Sequence, residues 1–371
     1  MNSPKRFTLL ACLLALLAGG AQSQVGTGTA ASAAAPPIGH VFLIVLENEP
    51  FHASFGPHSP AAYLARELPR QGALLTQYYG IGHYSLDNYI AMISGQAPNP
   101  DTQQDCPVFN EFVASGPVGA YGQLPGTGCV YPAAVPTIAD QLEARHLGWM
   151  AYMEDMGNDP RREGATCAHA AVGARDETER ASAGDEYAAK HDPFVYFHAL
   201  IDDAPRCNAH VVNLQRLTED LAHAATTPNF AFITPNLCHD GHNPRCVDGA
   251  PGGLAGVDAF LKIWVPRIMA SPAYRKDGLI VVTFDEGLTG AACCDEQGLP
   301  GGPLPGQFGP GGGRVGAVLL SPFIRGGTVS RRPYNHYSLL HSVEDYFGLA
   351  PLGYAAAPGA RPFGRDVFAR P

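Results

Sequence analysis

Short, almost continuously apolar runs are the feature that most constrains how this chain can fold. The runs VFLIVL (41–46) and LIVVTF (279–284) lack the alternation of polar and apolar residues that marks a half-exposed strand. Such runs are typical of parallel strands that are buried on both faces of a sheet. The segment at 85–94 instead repeats its apolar residues at helical spacing. Because the two patterns alternate along the chain, we predict an α/β fold with a mainly parallel sheet.

The same patterns predict the individual elements. The predicted strands are 40–46, 73–79, 149–153, 229–234, 279–284 and 315–321. The predicted helices are 61–71, 85–94, 137–146, 211–225, 256–270 and 338–347, with Thr137 as the cap of the third. We expect a loop-rich insertion around 99–207, which is rich in Pro and Gly at 99–131 and polar at 157–193.

The first 23 residues have the pattern of a Sec signal peptide. Lys5 and Arg6 precede the apolar stretch 7–17, and Ala21-Gln22-Ser23 has the small-x-small form of a cleavage site. A lipoprotein modified at Cys12 is the alternative. We therefore expect residues 24–38 to be a flexible leader and residues 39–371 to be a single catalytic domain. The expected location is secreted or periplasmic.

The cysteine count agrees with export. Removal of Cys12 with the signal peptide leaves eight of the nine cysteines, and an even number in an exported chain favours disulfides. Spacing suggests the pairs Cys106–Cys129, Cys167–Cys207 and Cys238–Cys246. Cys293 and Cys294 are adjacent, so they form either a vicinal disulfide or one arm each of two other bridges.

The charge of the chain limits its partners. A formal net charge of −10 does not attract nucleic acid or anionic membranes, and we expect neither nucleic-acid binding nor a stable membrane anchor. An anionic substrate would need a local positive centre, and a bound metal ion is the simplest source of one.

Two of the apolar runs end in acidic or amide side chains. Glu47 and Asn48 follow the first run, and Asp285 and Glu286 follow the run at 279–284. Ligands of open α/β sheets gather beyond the carboxyl ends of strands. Adjacent buried carboxylates are costly without a cation, and oxygen ligands suit a hard metal ion. We therefore predict a metal site here, although a polar turn would also explain the first pair.

A serine opens the helix predicted at 85–94. The free N–H groups at a helix N-terminus favour an anion such as phosphate beside Ser85. Asn88, one turn later, can donate to a phosphate oxygen, and His83 lies two residues before the serine. Ser85 as a simple helix cap is the alternative. The segment is not a G-x-S-x-G elbow, which disfavours an α/β-hydrolase triad.

Histidines gather after the strand predicted at 229–234. Asn236, His239, Asp240 and His242 lie within seven residues and can bind metal or phosphate, or supply a general acid. A disulfide-closed surface loop is the alternative. His336 precedes the last helix and can reach the same site; in the alternative, Asn335 or Ser338 caps that helix and His336 has no catalytic role.

Taken together, these segments resemble the phosphoesterase family of the alkaline-phosphatase-like superfamily, which includes bacterial phospholipases C and metal-dependent acid phosphatases. The matching stretches are VLENEPFHASFG, HYSLDNYIAMISG, TPNLCHDGH, VTFDEG, the Cys-Cys and Gly-rich loop before RVGAVLLSPFI, and NHYSLLHSVEDYFGL. They occur in family order from about residue 40 to the C-terminus.

The resemblance implies a fold, a mechanism and roles for particular residues. The fold would be a three-layer α/β/α sandwich with a mainly parallel central sheet. Ser85 would be the nucleophile and pass through a phosphoseryl intermediate. Glu47, Asn48, Ser85, Asp285 and Glu286 would hold one divalent metal ion. The side chains expected to contact phosphate or the leaving group are Asn88, His83, His239, Asp240, His242 and His336.

Two departures from the family pattern concern the metal loops. This chain has Glu49-Pro50 where relatives often have Ser or Asp after Glu-Asn, and it has Asp285-Glu286 where some relatives have two aspartates.

The substrate would be a small phosphorylated molecule or a phospholipid headgroup. The chain ends soon after the last helix, without the β-domains usual in phospholipases C, which favours a phosphomonoesterase. A phospholipase C-like phosphodiesterase, an inactive binding protein on the same fold and a metal-free serine esterase are the alternatives.

Overall fold

The fold is built around an eight-stranded sheet in which a single strand runs against the other seven. The computed structural model describes residue 1, residues 36–307 and residues 309–368. Residues 35–371 form one unit, and the description below concerns that unit. Residues 2–23 of the predicted signal peptide and most of the predicted leader lie outside the described residues.

Twelve strands occur in the described part of the chain. They are β1 (His40–Leu46), β2 (Ala73–Leu75), β3 (Tyr78–Tyr79), β4 (Val113–Ala114), β5 (Gly126–Thr127), β6 (Trp149–Met153), β7 (Val211–Asn213), β8 (Phe230–Thr234), β9 (Gly278–Phe284), β10 (Ala317–Leu320), β11 (Thr328–Ser330) and β12 (Tyr334–Asn335). The main sheet has the order β11-β2-β10-β9-β1-β8-β6-β7, with β10 antiparallel, while β12-β3 and β4-β5 are separate pairs.

The same part of the chain contains ten α-helices. They are α1 (Phe51–Ser54), α2 (Leu68–Gln71), α3 (Ser85–Ser94), α4 (Ile138–Ala144), α5 (His198–Ile201), α6 (Ala204–His210), α7 (Leu217–Asp220), α8 (Gly253–Ala270), α9 (Pro272–Asp277) and α10 (His336–Phe347). A π-helical turn at Tyr63–Glu67 leads into α2 and completes the helix predicted at 61–71.

Strand β1 lies at the centre of the sheet, as its composition predicts. It pairs in parallel with β8 on one side and β9 on the other, and all seven of its residues are buried. Both faces of the sheet are therefore covered, which confirms the predicted α/β fold with a mainly parallel sheet. Since neighbouring parallel strands end together, the residues that follow β1, β8 and β9 meet at one edge. Within the described residues, no helix is both long and apolar enough to cross a bilayer.

The prediction of a helix at 211–225 is wrong. Its first three residues form β7, which extends the sheet beside β6, and only Leu217–Asp220 form an α-helix. The β-branched pair Val211-Val212 is buried against the sheet edge, where burial outweighs the helical pattern. Thr226 and Thr227 then bond to main-chain oxygens of residues 220 and 223, which closes the segment as a turn.

The strand predicted at 73–79 is divided in two. Ala73–Leu75 joins the main sheet, whereas Tyr78–Tyr79 pairs with β12 in a separate ladder. Thr76 bonds to Ser330 at the point of division through both its main-chain N–H and its hydroxyl. The other predicted strands and helices occur with ends shifted by at most a few residues, and Thr137 caps α4 together with Asp140.

All eight cysteines of the described residues are in disulfides. The three pairs predicted from spacing occur, at Cys106–Cys129, Cys167–Cys207 and Cys238–Cys246. Cys293 and Cys294 form a vicinal disulfide, which was one of the two alternatives left by the sequence.

Candidate functional site

Glu47 is the residue on which the site is centred. It follows β1 and is fully buried, and its main-chain N–H donates to the Asp240 carbonyl. Ser85 Oγ donates to Glu47 Oε2 at 2.7 Å, and the Tyr89 hydroxyl donates to Oε1 at 2.9 Å. The Asn48 amide donates to Oε2 at 3.2 Å. A carboxylate with three donors is stabilised in its charged form.

Helix α3 presents Ser85 to this carboxylate. Ser85 is the first residue of the helix and is only 2% exposed. Tyr84, just before it, has φ 67° and ψ 143°, a backbone conformation that residues other than glycine rarely adopt. Strain of this kind persists only where neighbouring groups enforce it, so the turn before Ser85 must be held by contacts other than its own backbone hydrogen bonds.

Asn88 supplies that restraint. Its Oδ1 accepts from the main-chain N–H groups of Ile81 and Gly82, and its Nδ2 donates to the carbonyls of Gly82 and Tyr84. The side chain is fully buried and clamps the turn that carries Ser85. Its predicted contact with phosphate stays a prediction.

The second predicted acidic pair lies beside the first. The Asp285 N–H donates to the Leu46 carbonyl, and Asp285 Oδ1 accepts the Asn48 main-chain N–H at 2.8 Å. Asn48 has φ 57°, which asparagine tolerates better than most residues. Glu286 is 8% exposed and accepts a hydrogen bond from the main chain of Tyr84. The structure thus places Glu47, Asn48, Ser85 and Asp285 in one hydrogen-bonded group, with Glu286 beside the turn that precedes Ser85. That these five residues hold a metal ion stays a prediction.

On the far side of Glu47 lies a histidine that the sequence analysis missed. His191 Nε2 is 3.3 Å from Glu47 Oε1, and its Nδ1 is 3.6 Å from Asp240 Oδ2. The imidazole stacks on Tyr89, with ring centroids 5.2 Å apart. Glu47, His191 and Asp240 each offer a ligand atom, and these atoms lie within 4.8 Å of one another. This buried group can therefore hold a metal ion.

A lysine was missed as well. Lys190 Nζ lies 2.8 Å from Asp105 Oδ2, and Asp105 Oδ1 accepts the main-chain N–H of Leu86 at 3.1 Å. The lysine side chain is 14% exposed. Lys190 and His191 both come from the polar segment at 157–193, which the sequence analysis treated as an insertion over the sheet edge.

The predicted histidines take different positions. His336 is fully buried, with Nε2 2.5 Å from the Asp285 carbonyl and Nδ1 3.1 Å from the Tyr78 hydroxyl, while Asn335 caps α10. Burial lowers the pKa of His336 to about 4, so its imidazole is neutral and donates to the carbonyl. His83 has Nε2 3.0 Å from the Gly287 carbonyl and 3.9 Å from Glu286 Oε2.

The other two histidines lie nearer the surface. His239 pairs with Glu154 at 3.0 Å, outside the group around Glu47. His242 is exposed, with Nδ1 3.2 Å from Asn243 Oδ1, and its main-chain N–H donates to Asp240.

The site contains more acidic side chains than basic ones. Burial raises the pKa of Asp285 and of Asp240, and the neighbouring charge of Glu47 raises both further. Burial also raises the pKa of Glu47, but the charges of His191 and Lys190 outweigh it and hold this carboxyl well below its usual range. Within the described residues, Asp285 Oδ2, Asp240 Oδ2 and Glu286 Oε2 are buried without hydrogen-bond partners. Unpartnered carboxylate oxygens around a charged glutamate are the donor set that a divalent cation fits.

The Tyr89 hydroxyl, which contacts Glu47, was also not assigned to the site, although a sequence signal for it was available. Tyr89 lies four residues after Ser85, so both face the same side of α3. No such periodicity marks Lys190 and His191, because they lie in a three-residue 3-10 turn, Ala189–His191, and follow no apolar run.

Comparison with known proteins identifies similar sequences. A sequence model of the Phosphoesterase family matches residues 57–350. The phosphate-repressible acid phosphatase of Penicillium chrysogenum is 28% identical over 292 residues, which is 77% of this chain and 55% of that protein. An acid phosphatase of Aspergillus fumigatus is 26% identical over 77% of this chain and 51% of that protein. The chain thus spans little more than half the length of these fungal relatives.

Two further proteins extend the comparison. The phosphatidylinositol-3-phosphatase of Mycobacterium tuberculosis is 26% identical over 336 residues, covering 91% of this chain and 85% of that protein. Among solved structures, a protein of the alkaline phosphatase superfamily from Vibrio parahaemolyticus superposes with a TM-score of 0.50 at 13% identity. That match covers 90% of this chain and 72% of the other. The structural likeness confirms the predicted alkaline-phosphatase-like fold.

Proposed function

Because the chain belongs to the phosphoesterase family, we propose that it is an exported, metal-dependent phosphomonoesterase whose nucleophile is Ser85. One observation carries the proposal. The Ser85 hydroxyl lies at the N-terminus of a buried helix and donates to Glu47 at 2.7 Å, inside a group of carboxylates with unpartnered oxygens. A serine that only capped its helix would not need this acidic surrounding.

The nucleophile is poised for attack on phosphorus. Its hydroxyl proton points to Glu47 Oε2, which leaves the lone pairs of the oxygen for bond formation. The start of α3 contributes the positive end of the helix dipole, which favours a phosphate group at this point. The Asn88 clamp fixes the turn, so the serine oxygen needs little reorientation to react.

The residues assigned to the metal ion are Glu47, Asn48, Ser85, Asp285 and Glu286, with His191 and Asp240 supporting Glu47 from the other side. When bound, a divalent ion would lower the pKa of the serine hydroxyl and neutralise charge on the transferring phosphoryl group. The unpartnered oxygens of Asp285 and Glu286 support this assignment.

The reaction would proceed in two displacements. Ser85 Oγ passes its proton to Glu47 Oε2 and forms a bond to phosphorus, and the bond to the leaving oxygen breaks with its electron pair. We assign protonation of that oxygen to His242, because its imidazole is exposed, whereas both ring nitrogens of His336 are occupied inside the protein. Water then loses a proton to the deprotonated His242 and attacks the phosphoseryl phosphorus. The bond from Ser85 Oγ to phosphorus breaks, the serine oxygen takes back the proton from Glu47, and inorganic phosphate is released.

Export is part of the proposal. The pattern of residues 1–23 and the disulfide bonding of every cysteine in the described chain support it, since such bonds persist in oxidising compartments. Detection of the mature protein outside the cytoplasm, with residue 24 at its N-terminus, would test this.

Hydrolysis of two chromogenic substrates tests the activity. p-Nitrophenyl phosphate and p-nitrophenylphosphorylcholine are compared, each with and without EDTA and after return of a divalent ion. Turnover of the monoester alone, abolished by EDTA, supports the proposal. Preference for the choline diester would indicate a phospholipase C-like enzyme. No turnover of either after metal return would favour the inactive binding protein, and EDTA-insensitive turnover would favour a metal-free esterase.

A lipid-borne monoester is a second candidate substrate. The mycobacterial relative, named for a phosphoinositide, is matched over most of its length, unlike the two fungal relatives. Phosphate release from vesicles containing phosphatidylinositol 3-phosphate, compared with release from p-nitrophenyl phosphate, separates the two substrate classes.

A further inference from the structure

Lys190 is a mostly covered cation beside the acidic group of the site. Its side chain is 14% exposed and its Nζ contacts Asp105 at 2.8 Å. Its charge also acts on Glu47, Asp240 and Glu286, lowering the pKa of each carboxyl against the effect of burial. The residue that follows Lys190 in the chain lies 3.3 Å from Glu47 Oε1, so the lysine belongs to a segment that contacts this acidic group directly.

Asp105 ties this lysine to the nucleophile helix. One carboxylate oxygen of Asp105 contacts Lys190, and the other accepts the N–H of Leu86, the residue directly after Ser85. Asp105 itself is fixed in the left-handed region at φ 57°, next to the Cys106–Cys129 disulfide. The ammonium group is therefore held at a set position relative to the start of α3.

The ammonium group has donors to spare. A lysine carries three N–H donors, and the contact with Asp105 uses one of them. The carboxylates around Ser85 repel any anionic substrate, so a fixed positive charge is needed where the phosphoryl group lies. A phosphomonoester carries two negative charges near neutral pH and a diester carries one, so such a charge favours the monoester.

We propose that Lys190, positioned by Asp105, binds a non-bridging oxygen of the transferring phosphoryl group and thereby selects monoesters over diesters. This inference rests on the proposed function. It assigns substrate selection to a side chain from the loop-rich insertion rather than to the residues at the strand ends.

The test compares Lys190→Met with Lys190→Arg and with Lys262→Met. The last variant removes a lysine from a similar ion pair, with Asp258 at 2.9 Å on the surface of α8. For each protein we would measure metal content, the inhibition constant of inorganic phosphate, and kcat/KM for p-nitrophenyl phosphate and bis-p-nitrophenyl phosphate.

In Lys190→Met we expect kcat/KM for the monoester to fall roughly 100-fold, as for loss of one preorganised donor to the transition state. The phosphate inhibition constant should rise at least about 10-fold, since one charge–charge contact is lost. Any diesterase activity should fall much less. Lys190→Arg should keep most of the phosphate affinity, and Lys262→Met should match the wild type.

The outcomes separate two kinds of failure. A wild type that hydrolyses neither substrate would contradict the proposed function itself. An active wild type with an unchanged phosphate inhibition constant in Lys190→Met would overturn this inference alone, as would an equal loss of both activities. If Lys190→Met does not fold, the double variant Lys190→Met/Asp105→Asn removes both charges of the pair and is measured in its place.

Discussion

Ser85 Oγ lies 2.7 Å from Glu47 Oε2, although 38 residues separate the two along the chain. The contact joins the first residue of α3 to the residue that follows the central strand β1. Both side chains are buried, so the hydroxyl and the carboxylate form a defined pair away from bulk water.

Removal of the nucleophile should abolish turnover without unfolding the protein. For Ser85→Ala we expect hydrolysis of p-nitrophenyl phosphate to fall to background, because no other serine or threonine lies in the first two turns of α3. Ser94→Ala is the matched control, since this serine is also buried and lies about 14 Å away at the other end of the same helix. Circular dichroism checks folding. Wild-type turnover in Ser85→Ala would remove this residue as nucleophile.

Loss of one carboxylate should lower metal content and activity together. Asp285→Asn keeps an acceptor for the Asn48 N–H but removes a negative charge from the proposed metal site. We expect reduced metal by elemental analysis and a parallel loss of kcat. Asp277→Asn, at the other end of β9, should keep both. Unchanged metal occupancy in Asp285→Asn would place the ion elsewhere.

His191 should act through Glu47. In His191→Gln we expect a loss of activity of about 10–100-fold, the range for residues that orient metal ligands. Metal affinity should fall less than in Asp285→Asn. The measurement is a metal titration of both variants. Complete loss of metal from His191→Gln alone would assign the ion to Glu47, His191 and Asp240.

Removal of the Asn88 side chain should reduce activity by more than the accompanying loss of unfolding free energy would explain. Asn88→Ala leaves the buried N–H groups of Ile81 and Gly82 without an acceptor, at about 1–3 kcal/mol each. Asn229→Ala breaks a comparable bridge between Gly39 and Gly148 at the opposite end of the sheet. At equal loss of unfolding free energy, only Asn88→Ala should lose turnover. Equal activity of the two variants would show that the turn needs no clamp.

Buried Glu344 should make stability depend on pH. Burial raises the pKa of Glu344 from 4.5 to about 8, so the folded protein binds a proton that the unfolded chain releases between these values. Its contribution therefore lowers the free energy of unfolding as pH rises through this window. Glu344→Gln removes the effect while keeping an acceptor for the Leu352 N–H. The gain in Tm over the wild type should be larger at pH 8.5 than at pH 5; an equal gain at both would contradict it.

Much of the fold was predictable because the relevant signals are local. The strand His40–Leu46 and the helix Ser85–Ser94 occur with the predicted ends. Burial on both faces and helical spacing each produce a pattern of apolar residues within a short stretch of the chain. The failure at 211–225 has the opposite cause. Val211 and Val212 lie within a helical pattern, but a free sheet edge beside β6 makes them a strand, and that edge is a property of the whole fold.

The candidate site likewise contains residues that local sequence patterns predict and residues that they do not. The strand-end rule brought Glu47 and Asp285 together correctly, because parallel strands end at one edge. It could not find His191, whose segment follows no apolar run and reaches Glu47 only through the packing of the insertion. The contact between Lys190 and Asp105 likewise joins two loops, and no pattern in either loop predicts that they meet.

By itself, then, the sequence determined the α/β class, the disulfide pairs other than the vicinal one, and the acidic strand ends around a serine. Each of these depends on residues close in the chain or on a general rule of sheet topology. Only the tertiary structure decided that Asn88 clamps the turn before Ser85, that His191 contacts Glu47 and that Lys190 pairs with Asp105. Such contacts depend on how loops pack on the finished sheet, and the free energy of that packing is distributed over many residues distant in sequence.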